Sequence, residues 1–405
     1  MAKRITIIGV GYIGLPLAIM LARSGYEVTG VDIDETLVNS INKGTLRLAE
    51  DDINRALQEP QVRKNLHAQK VPCQADTFII CVPTPLDQKK KRADLTHVKN
   101  ATKSILPFLQ RGNLVVIEST IPPLTCRETI LPLIEKTGLK VNKDIFLCHC
   151  PERVIPGNLL KEIVEDDRII GGLNAKASQI AKKIYSSFVK GNIYISDDIT
   201  AELVKCMENT YRDVNIALAN EFAAIAEGLG VPIIPAIELA NRHPRVNIHK
   251  PGIGTGGHCI PIVPWFIHQV DPKSTRLIPT ARLVNDAVPH KIASQIKREV
   301  EGISKPRIVA LGVTYKPNTD DTRNSPALEI IELLKGDGYQ VDVYDPLAKG
   351  YKYPPIKEAS KGADCLVILV EHQVILDELS RDEIKIKKGM RHPLIIRFFS
   401  EVKYG

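Results

Sequence analysis

Arg4-Ile5-Thr6-Ile7-Ile8-Gly9-Val10-Gly11-Tyr12-Ile13-Gly14 decides the fold of this 405-residue chain. Arg4–Ile8 is rich in β-branched apolar residues, which favour an extended strand. It runs straight into a Gly-x-Gly-x-x-Gly turn. A helix-forming run follows from Leu15 to Ser24 and closes at Gly25, and Tyr26–Val31 reads as a second strand ending at Asp32. Alone, three glycines at this spacing mean little. Between a strand and a helix, with an acidic residue closing the next strand, they predict a dinucleotide-binding turn. Gly9 makes the tight turn, Gly11 lets the backbone approach a pyrophosphate, and Gly14 permits close helix packing; the helix N-terminus then faces the phosphates. Asp32 can accept hydrogen bonds from ribose hydroxyls and would repel a 2′-phosphate. Ile33-Asp34 follows it rather than an arginine, so NAD is expected over NADP. The competing reading is a turn of the same shape that holds no nucleotide.

Outward from this unit, strand and helix signals keep alternating. Thr77–Val82, Leu114–Glu118, Ile145–Cys148 and Ile169–Gly171 read as buried strands, the pattern of a parallel, doubly wound sheet. From Asp198 the texture changes. Ile199 to Gly228 predicts one long helix, with Leu203, Met207, Tyr211, Val214, Leu218, Phe222 and Ile225 recurring at steps of three and four. Such a stripe must bury itself against another helix, within the chain or across a dimer. More helix is expected over Pro235–Asn241 and Thr280–Val300. A third section begins at Lys305-Pro306, with strands at Arg307–Val313, Tyr339–Tyr344 and Cys365–Val370 and a helix over Ser325–Lys335. The expected architecture is α/β: two Rossmann-like doubly wound parallel-sheet domains joined by a central, mostly helical domain. The expected divisions are 1–197, 198–304 and 305–405.

Composition excludes more than it assigns. Hydrophobic residues are 44% and charged residues 25% of the chain, ordinary globular values that argue against disorder. The net charge of +7 is mild for this length, and the one short basic run, Lys89–Arg92, reads as a solvated loop rather than a nucleic-acid footprint. The eight cysteines form no paired CxxC motif, so no metal site is expected. Cys148 and Cys150 read as small core residues. The apolar run near Met1 breaks at Gly9 without a cleavage signal, and no stretch is long enough to span a bilayer. A cytoplasmic chain with free thiols, and no nucleic-acid or membrane partner, is expected.

Three further features carry chemistry. Gly252-Ile253-Gly254-Thr255-Gly256-Gly257-His258-Cys259 is a loop that ends on a single cysteine. A structural cysteine belongs in an apolar run, as Cys365 does. One at the end of a glycine loop is exposed to whatever the loop wraps, which favours a thiolate nucleophile needing a nearby cation. Lys205 and Asn209 stand at i and i+4 on the long helix, with Arg212 extending the stripe; standing alone, such a stripe is usually a solvated face. In the third section, Leu311–Lys316 sits where the glycine fingerprint sat in the first, but lacks its other glycines, so a second dinucleotide is not expected. Lys316 and Arg323 there suit an anionic ligand, or are merely surface cations.

In this order the motifs resemble the UDP-glucose/GDP-mannose dehydrogenase family. The resemblance runs from about residue 3 to about residue 370 and rests on Gly9–Gly14, Val82-Pro83-Thr84-Pro85, Glu118-Ser119-Thr120, Pro151-Glu152-Arg153-Val154, Asn241-Arg242-His243-Pro244-Arg245, the cysteine loop and Lys316–Arg323. The Glu152–Gly157, Asp167-Arg168 and Asn241–Val246 strings resemble its N-acetylmannosamine branch more than its glucose branch. The resemblance implies four-electron oxidation of a sugar-nucleotide C6 alcohol, that of UDP-N-acetyl-D-mannosamine, to a carboxylate with NAD, in the supply of surface polysaccharides or glycoproteins. It implies Cys259 as nucleophile, Lys205 and Asn209 for proton transfer and the oxyanion, and Thr120 and Glu152 for the hydrolytic water. Tyr12, Ile13, Asp32, Thr84, Thr120 and Arg323 match NAD contacts. Arg153, Val154, Arg212, His243, Gly256, Tyr315 and Lys316 match substrate contacts, as do Lys205 and Asn209. Arg245 matches an arginine reaching the diphosphate from a neighbouring subunit, so a homodimer or higher homo-oligomer through the central helix is implied.

Two departures stand out. Val263 occupies the place of an aspartate four residues after the cysteine, and Ile395–Ser400 replaces the family's usual ending. The alternatives are the same chemistry on UDP-N-acetylglucosamine or UDP-glucose, a binding protein without turnover because of Val263, and a two-electron dehydrogenase in which Cys259 is structural.

Overall fold

The computed structural model describes residues 3–46, 51–154, 157–351 and 354–399. Ile155 and Pro156 of the Glu152–Gly157 string and Ser400 of the C-terminal ending lie outside them. The chain forms two compact units, Met1–Glu208 with Trp265–Asp271, and Asn209–Pro264 with Pro272–Gly405.

The first unit is built on an eight-stranded sheet. Its strands are β1 (Arg4–Ile8), β2 (Glu27–Val31), β3 (Leu66–Gln69), β4 (Thr77–Ile80), β7 (Leu114–Ile117), β8 (Phe146–His149), β9 (Arg168–Gly172) and β10 (Ile193–Asp197), with a small hairpin of β5 (Leu86–Asp87) and β6 (Arg92–Ala93) between β4 and β7. The sheet order is β10-β9-β8-β7-β4-β1-β2-β3. Every residue of β4, β7 and β8 is buried, as strands covered by helices on both faces must be. That is why these strands read as unbroken apolar runs. The expectation of a wholly parallel sheet needs one correction: β9 pairs antiparallel to β8, and β10 runs with β9. A parallel neighbour requires the chain to cross back to the starting edge. Among its described residues the 150–167 connection carries only the short helix Leu159–Glu165, and the chain re-enters from the edge where β8 ends. Strand direction leaves no trace in hydrophobic period, so the sequence could not show it.

The second unit holds a four-stranded parallel sheet in the order β12-β11-β13-β14, from β11 (Arg307–Leu311), β12 (Gln340–Tyr344), β13 (Cys365–Ile368) and β14 (Leu394–Arg397). The helix Pro326–Gly336 starts after Ser325, whose hydroxyl accepts from the Ala327 amide, with proline at its first position; Ser325 is the cap, not the first turn. The helix Leu277–Glu299 shares a core with this sheet through Val288, Ile292, Ile296, Ile308, Ala310 and Ile330.

The long helix runs Asp198–Leu229, and burial along it does not follow polarity. Met207, Tyr211 and Ile225 are each more than half exposed, and Leu203 and Leu218 are exposed too, whereas Lys205 and Asn209 are only 6% exposed. Lys205 and Asn209 therefore do not lie on a solvated face, although Arg212 does; of the apolar stripe, Val214 and Phe222 are half-buried and Tyr211 meets the His249 ring edge-on, while Leu203, Met207, Leu218 and Ile225 are exposed among the described residues. Among the described residues no helix is long and apolar enough to cross a membrane.

Candidate active site

Where β1 meets the first helix the glycines divide their work. Gly9 adopts φ +89°, and its amide donates to Val31 O at 2.7 Å. A Cβ on Gly14 would stand 1.9 Å from Gly9 O, whereas one on Gly11 would meet nothing within 4 Å. The helix Gly14–Arg23 has Ile13 as N-cap, with no side-chain hydrogen bond there and no acidic residue in its first turn. The Leu15 amide donates to Gly11 O at 3.1 Å and Pro16 carries no N–H, so the end of this helix offers an anion the Gly14 amide and its positive dipole. Tyr12 and Ile13 are half-buried beside them. Asp32 accepts from the Val10 and Asp34 amides, each at 3.1 Å, which fixes its carboxylate at the strand end. Ser119 Oγ accepts from Val82 N at 2.9 Å and donates to Val82 O at 2.7 Å, tying the Thr84 loop to the one that bears Thr120. Thr84 Oγ1 is buried without a hydrogen-bond partner among the described residues. An open face at Gly11, an uncapped helix end and an orphaned hydroxyl fit a dinucleotide.

Near the end of β8 a second cluster forms. Lys205 Nζ lies 3.7 Å from Glu152 Oε1, both nearly buried, and Glu152 Oε2 has no partner among the described residues. Asn209 Nδ2 is likewise buried and unpartnered. Orphaned buried polar atoms cost about 1–3 kcal/mol each, so such atoms mark where a polar ligand or water belongs. His149 was missed from sequence, because it stands between two cysteines in an apolar strand. It is fully buried, and burial, with the Lys205 charge acting the same way, lowers its pKa to about 3, so it is a neutral imidazole. Arg153 pairs with Glu208 and donates to Asp167 O at 3.0 Å; Val154 is half-buried beside it. Arg168 and Glu118 form a buried ion pair at 2.6 Å, with Arg168 over the Tyr185 ring. Glu202 accepts from the Leu124 and Cys126 amides at 2.6 and 2.8 Å, and burial raises its pKa to about 7.

In the second unit the cysteine loop is bolted at three points. Gly252 N donates to Asn220 Oδ1 at 2.9 Å. Thr255 Oγ1 accepts from Arg282 Nη1 at 2.7 Å. Gly257 N donates to Arg323 O at 3.0 Å, and Asn324 Nδ2 donates to Gly257 O at 3.0 Å. Arg282 is itself buried against Asp213 at 2.5 Å. Asn220, Asp213, Arg282 and Asn285 went unnoticed in the sequence, because nothing local links them to the loop. Gly256 must be glycine, since its Cβ would lie 2.7 Å from Tyr315 Cβ and 2.8 Å from Asn324 O. Cys259 is half-buried, and Arg323 and Tyr315 lie within electrostatic reach of it. Arg323 is a cation within that reach, the kind of neighbour a thiolate needs, and it is also forked onto Asp321. Arg212 lies within reach of Tyr315, and Lys316 is half-buried next to it in the chain. Asn241 closes its loop through Ile248 at 2.7 and 3.0 Å, which leaves His243 and Arg245 exposed. Val263 is buried at the start of the helix Val263–His268.

Residues 3–189 match the NAD binding domain of the UDP-glucose/GDP-mannose dehydrogenase family, 199–287 its central domain, and 309–401 its UDP binding domain. The chain belongs to this family. It is an NAD-dependent UDP-sugar dehydrogenase. Over 389 residues the dehydrogenase is 48% identical to a UDP-N-acetyl-D-mannosamine dehydrogenase of Methanococcus maripaludis, covering 94% of this chain and 89% of the relative. Its fold superposes on the UDP-D-ManNAc dehydrogenase of Pyrococcus horikoshii with a TM-score of 0.93 at 43% identity, covering 99% and 97% of the two chains. The corresponding values for the UDP-N-acetyl-mannosamine dehydrogenase Cap5O of Staphylococcus aureus are 0.89, 38%, 99% and 96%. The α/β architecture and the NAD cofactor expected from the sequence stand.

Proposed function

We propose that the chain oxidises the C6 alcohol of UDP-N-acetyl-D-mannosamine to UDP-N-acetyl-D-mannosaminuronate by a four-electron route through a cysteine thioester. The observation that carries the route is Cys259, half-buried at the end of a bolted glycine loop and within reach of the Arg323 cation. The names of the relatives support the sugar.

Gly9, Gly11, Tyr12, Ile13, Gly14, Asp32, Thr84, Thr120 and Arg323 would hold NAD, which supplies a hydride acceptor for each of two oxidations. Lys205, with Asn209, takes up the C6 hydroxyl proton and holds the oxygen's developing charge; Glu152, at 3.7 Å from Lys205, shares that proton. Cys259 Sγ adds to the resulting aldehyde carbon, the carbonyl oxygen gains a proton, and a thiohemiacetal forms. Its oxidation leaves a thioester. Glu152 and Thr120 orient a water onto the thioester carbonyl, and the carbon–sulfur bond breaks to release the carboxylate and the Cys259 thiolate. Arg153, Val154, Arg212, His243, Gly256, Tyr315 and Lys316 bind the sugar nucleotide, with charge-assisted bonds to its diphosphate. The division at 1–197, 198–304 and 305–405 belongs to this reading. So does a homodimer that covers Leu203, Met207, Tyr211 and Ile225 and sends Arg245 to the neighbouring subunit's diphosphate.

The test counts NADH formed per sugar, with UDP-N-acetylmannosamine beside UDP-N-acetylglucosamine and UDP-glucose, and with Cys259→Ala as control. Two NADH per UDP-N-acetylmannosamine, lost in the variant, is expected. One NADH per sugar, or an unimpaired variant, would remove Cys259 as nucleophile. Binding without NADH would assign recognition without oxidation and point to Val263.

A further inference from the structure

The two sheets repeat one device and use it differently. In the first, Gly9 (φ +89°) follows β1, its amide donates to Val31 O at 2.7 Å, and the Val10 amide donates to Asp32 Oδ2 at 3.1 Å. In the second, Gly312 (φ +86°) follows β11, its amide donates to Tyr344 O at 2.8 Å, and the Val313 amide donates to Asp345 Oδ2 at 2.7 Å. Asp345 is therefore the positional counterpart of the ribose-facing Asp32. Yet Asp345 is fully buried. It also accepts from the Leu347 and Ala348 amides, each at 2.8 Å, and lies 3.1 Å from His372 Nε2.

His372, also fully buried, has a fixed proton position. Its Nδ1 accepts from the Asn318 amide at 2.9 Å, so the ring proton sits on Nε2. There it faces Asp345 Oδ2 and Thr314 Oγ1, both at 3.1 Å, while Thr314 Oγ1 donates to Lys316 O at 2.8 Å. Asn318, at φ +58°, accepts in turn from Gln373 N at 2.8 Å. One imidazole thus ties both ends of the 313–318 loop to the sheet. That loop presents Tyr315 and Lys316, and Tyr315 walls Gly256 of the cysteine loop.

We propose that His372 and Asp345 are positioning residues for the diphosphate-binding loop, a cofactor-reading carboxylate site turned inward and converted into a clamp. The inference rests on the reading that Tyr315 and Lys316 bind the UDP moiety. It is tested on the full chain by titrating UDP and NAD separately and measuring KM and kcat. His372→Leu should weaken UDP binding and raise the sugar-nucleotide KM about ten-fold, the effect of orphaning one buried polar group. NAD affinity should stay unchanged, and His372→Gln, which supplies one acceptor and one donor, should recover most of the loss. Should His372→Leu not fold, Thr314→Val removes only the hydroxyl between the imidazole and Lys316, with an expected loss of about three-fold. UDP affinity within two-fold of the parent in a folded His372→Leu chain would overturn the clamp, as would UDP and NAD affinities falling together. No UDP uptake by the parent chain would instead overturn the reading beneath it.

Discussion

Arg282→Met is the perturbation whose cost the structure fixes most closely. Arg282 is 2% exposed and Asp213 is fully buried, and the two meet at 2.5 Å. Removing the guanidinium leaves the Asp213 carboxylate in the interior with the Asn285 side chain, which donates to it at 2.8 Å. Breaking a buried pair on one side costs about 3–5 kcal/mol, and the lost bond to Thr255 adds about 1 kcal/mol. For a unit of this size that corresponds to a fall in Tm of about 10–20 °C. The double variant Arg282→Met, Asp213→Leu removes the buried pair, leaves Arg282's other partner Asp286 to the solvent that already reaches it, and should recover to within about 1–2 kcal/mol of the parent. Denaturant unfolding of the four chains of this cycle supplies the coupling. Turnover should fall in the single variant while NAD binding holds, because Thr255 anchors the cysteine loop. A single variant less than about 1 kcal/mol below the parent would refute the reasoning, as would a double variant as unstable as the two singles summed.

Gly256→Ala should abolish most sugar oxidation and leave NAD affinity intact, since its methyl meets Tyr315 and the Asn324 carbonyl; steady-state kinetics beside an NAD titration decide it. Glu202 has a folded pKa of about 7 against an ordinary 4.5, so the folded chain holds an extra proton between those values. Its contribution is fully present below pH 4.5 and is lost as pH rises through 7, a span of about 3 kcal/mol. The parent should lose stability from pH 5 to 7 more steeply than Glu202→Gln, and equal slopes in pH-dependent unfolding would count against it. Asp32→Ser should raise activity with NADP relative to NAD by removing the charge that repels a 2′-phosphate, measured as the ratio of the two kcat/KM values.

What the sequence disclosed was local. The Gly9–Asp32 unit was legible because strand, turn, helix and strand lie within one short stretch, and each glycine answers to a neighbour close in the chain. The long helix was legible in extent but not in orientation. Period shows that Leu203, Met207 and Tyr211 share a face, and that Lys205 and Asn209 share another. It cannot show which residues are covered, and here Lys205 and Asn209 are, while Met207 and Ile225 are not. The reversal of β9 and β10, and the anchors Asn220 and Arg282 beneath the cysteine loop, depend on residues tens of positions apart, for which no motif exists. His149 was hidden for another reason: a neutral buried imidazole between two core cysteines looks like core.

The glycine turn separates two demands that one motif usually merges. Gly14 answers to the fold, because any side chain there collides with Gly9 O; Gly11 has open space and answers only to what arrives. Gly11→Ala should therefore yield an intact chain whose added methyl stands in the path of a pyrophosphate. Such a chain would let the sugar nucleotide be loaded alone. Its UDP-sugar affinity with NAD present, set against that of the intact chain, would show how far a bound cofactor strengthens or weakens the hold on the sugar nucleotide.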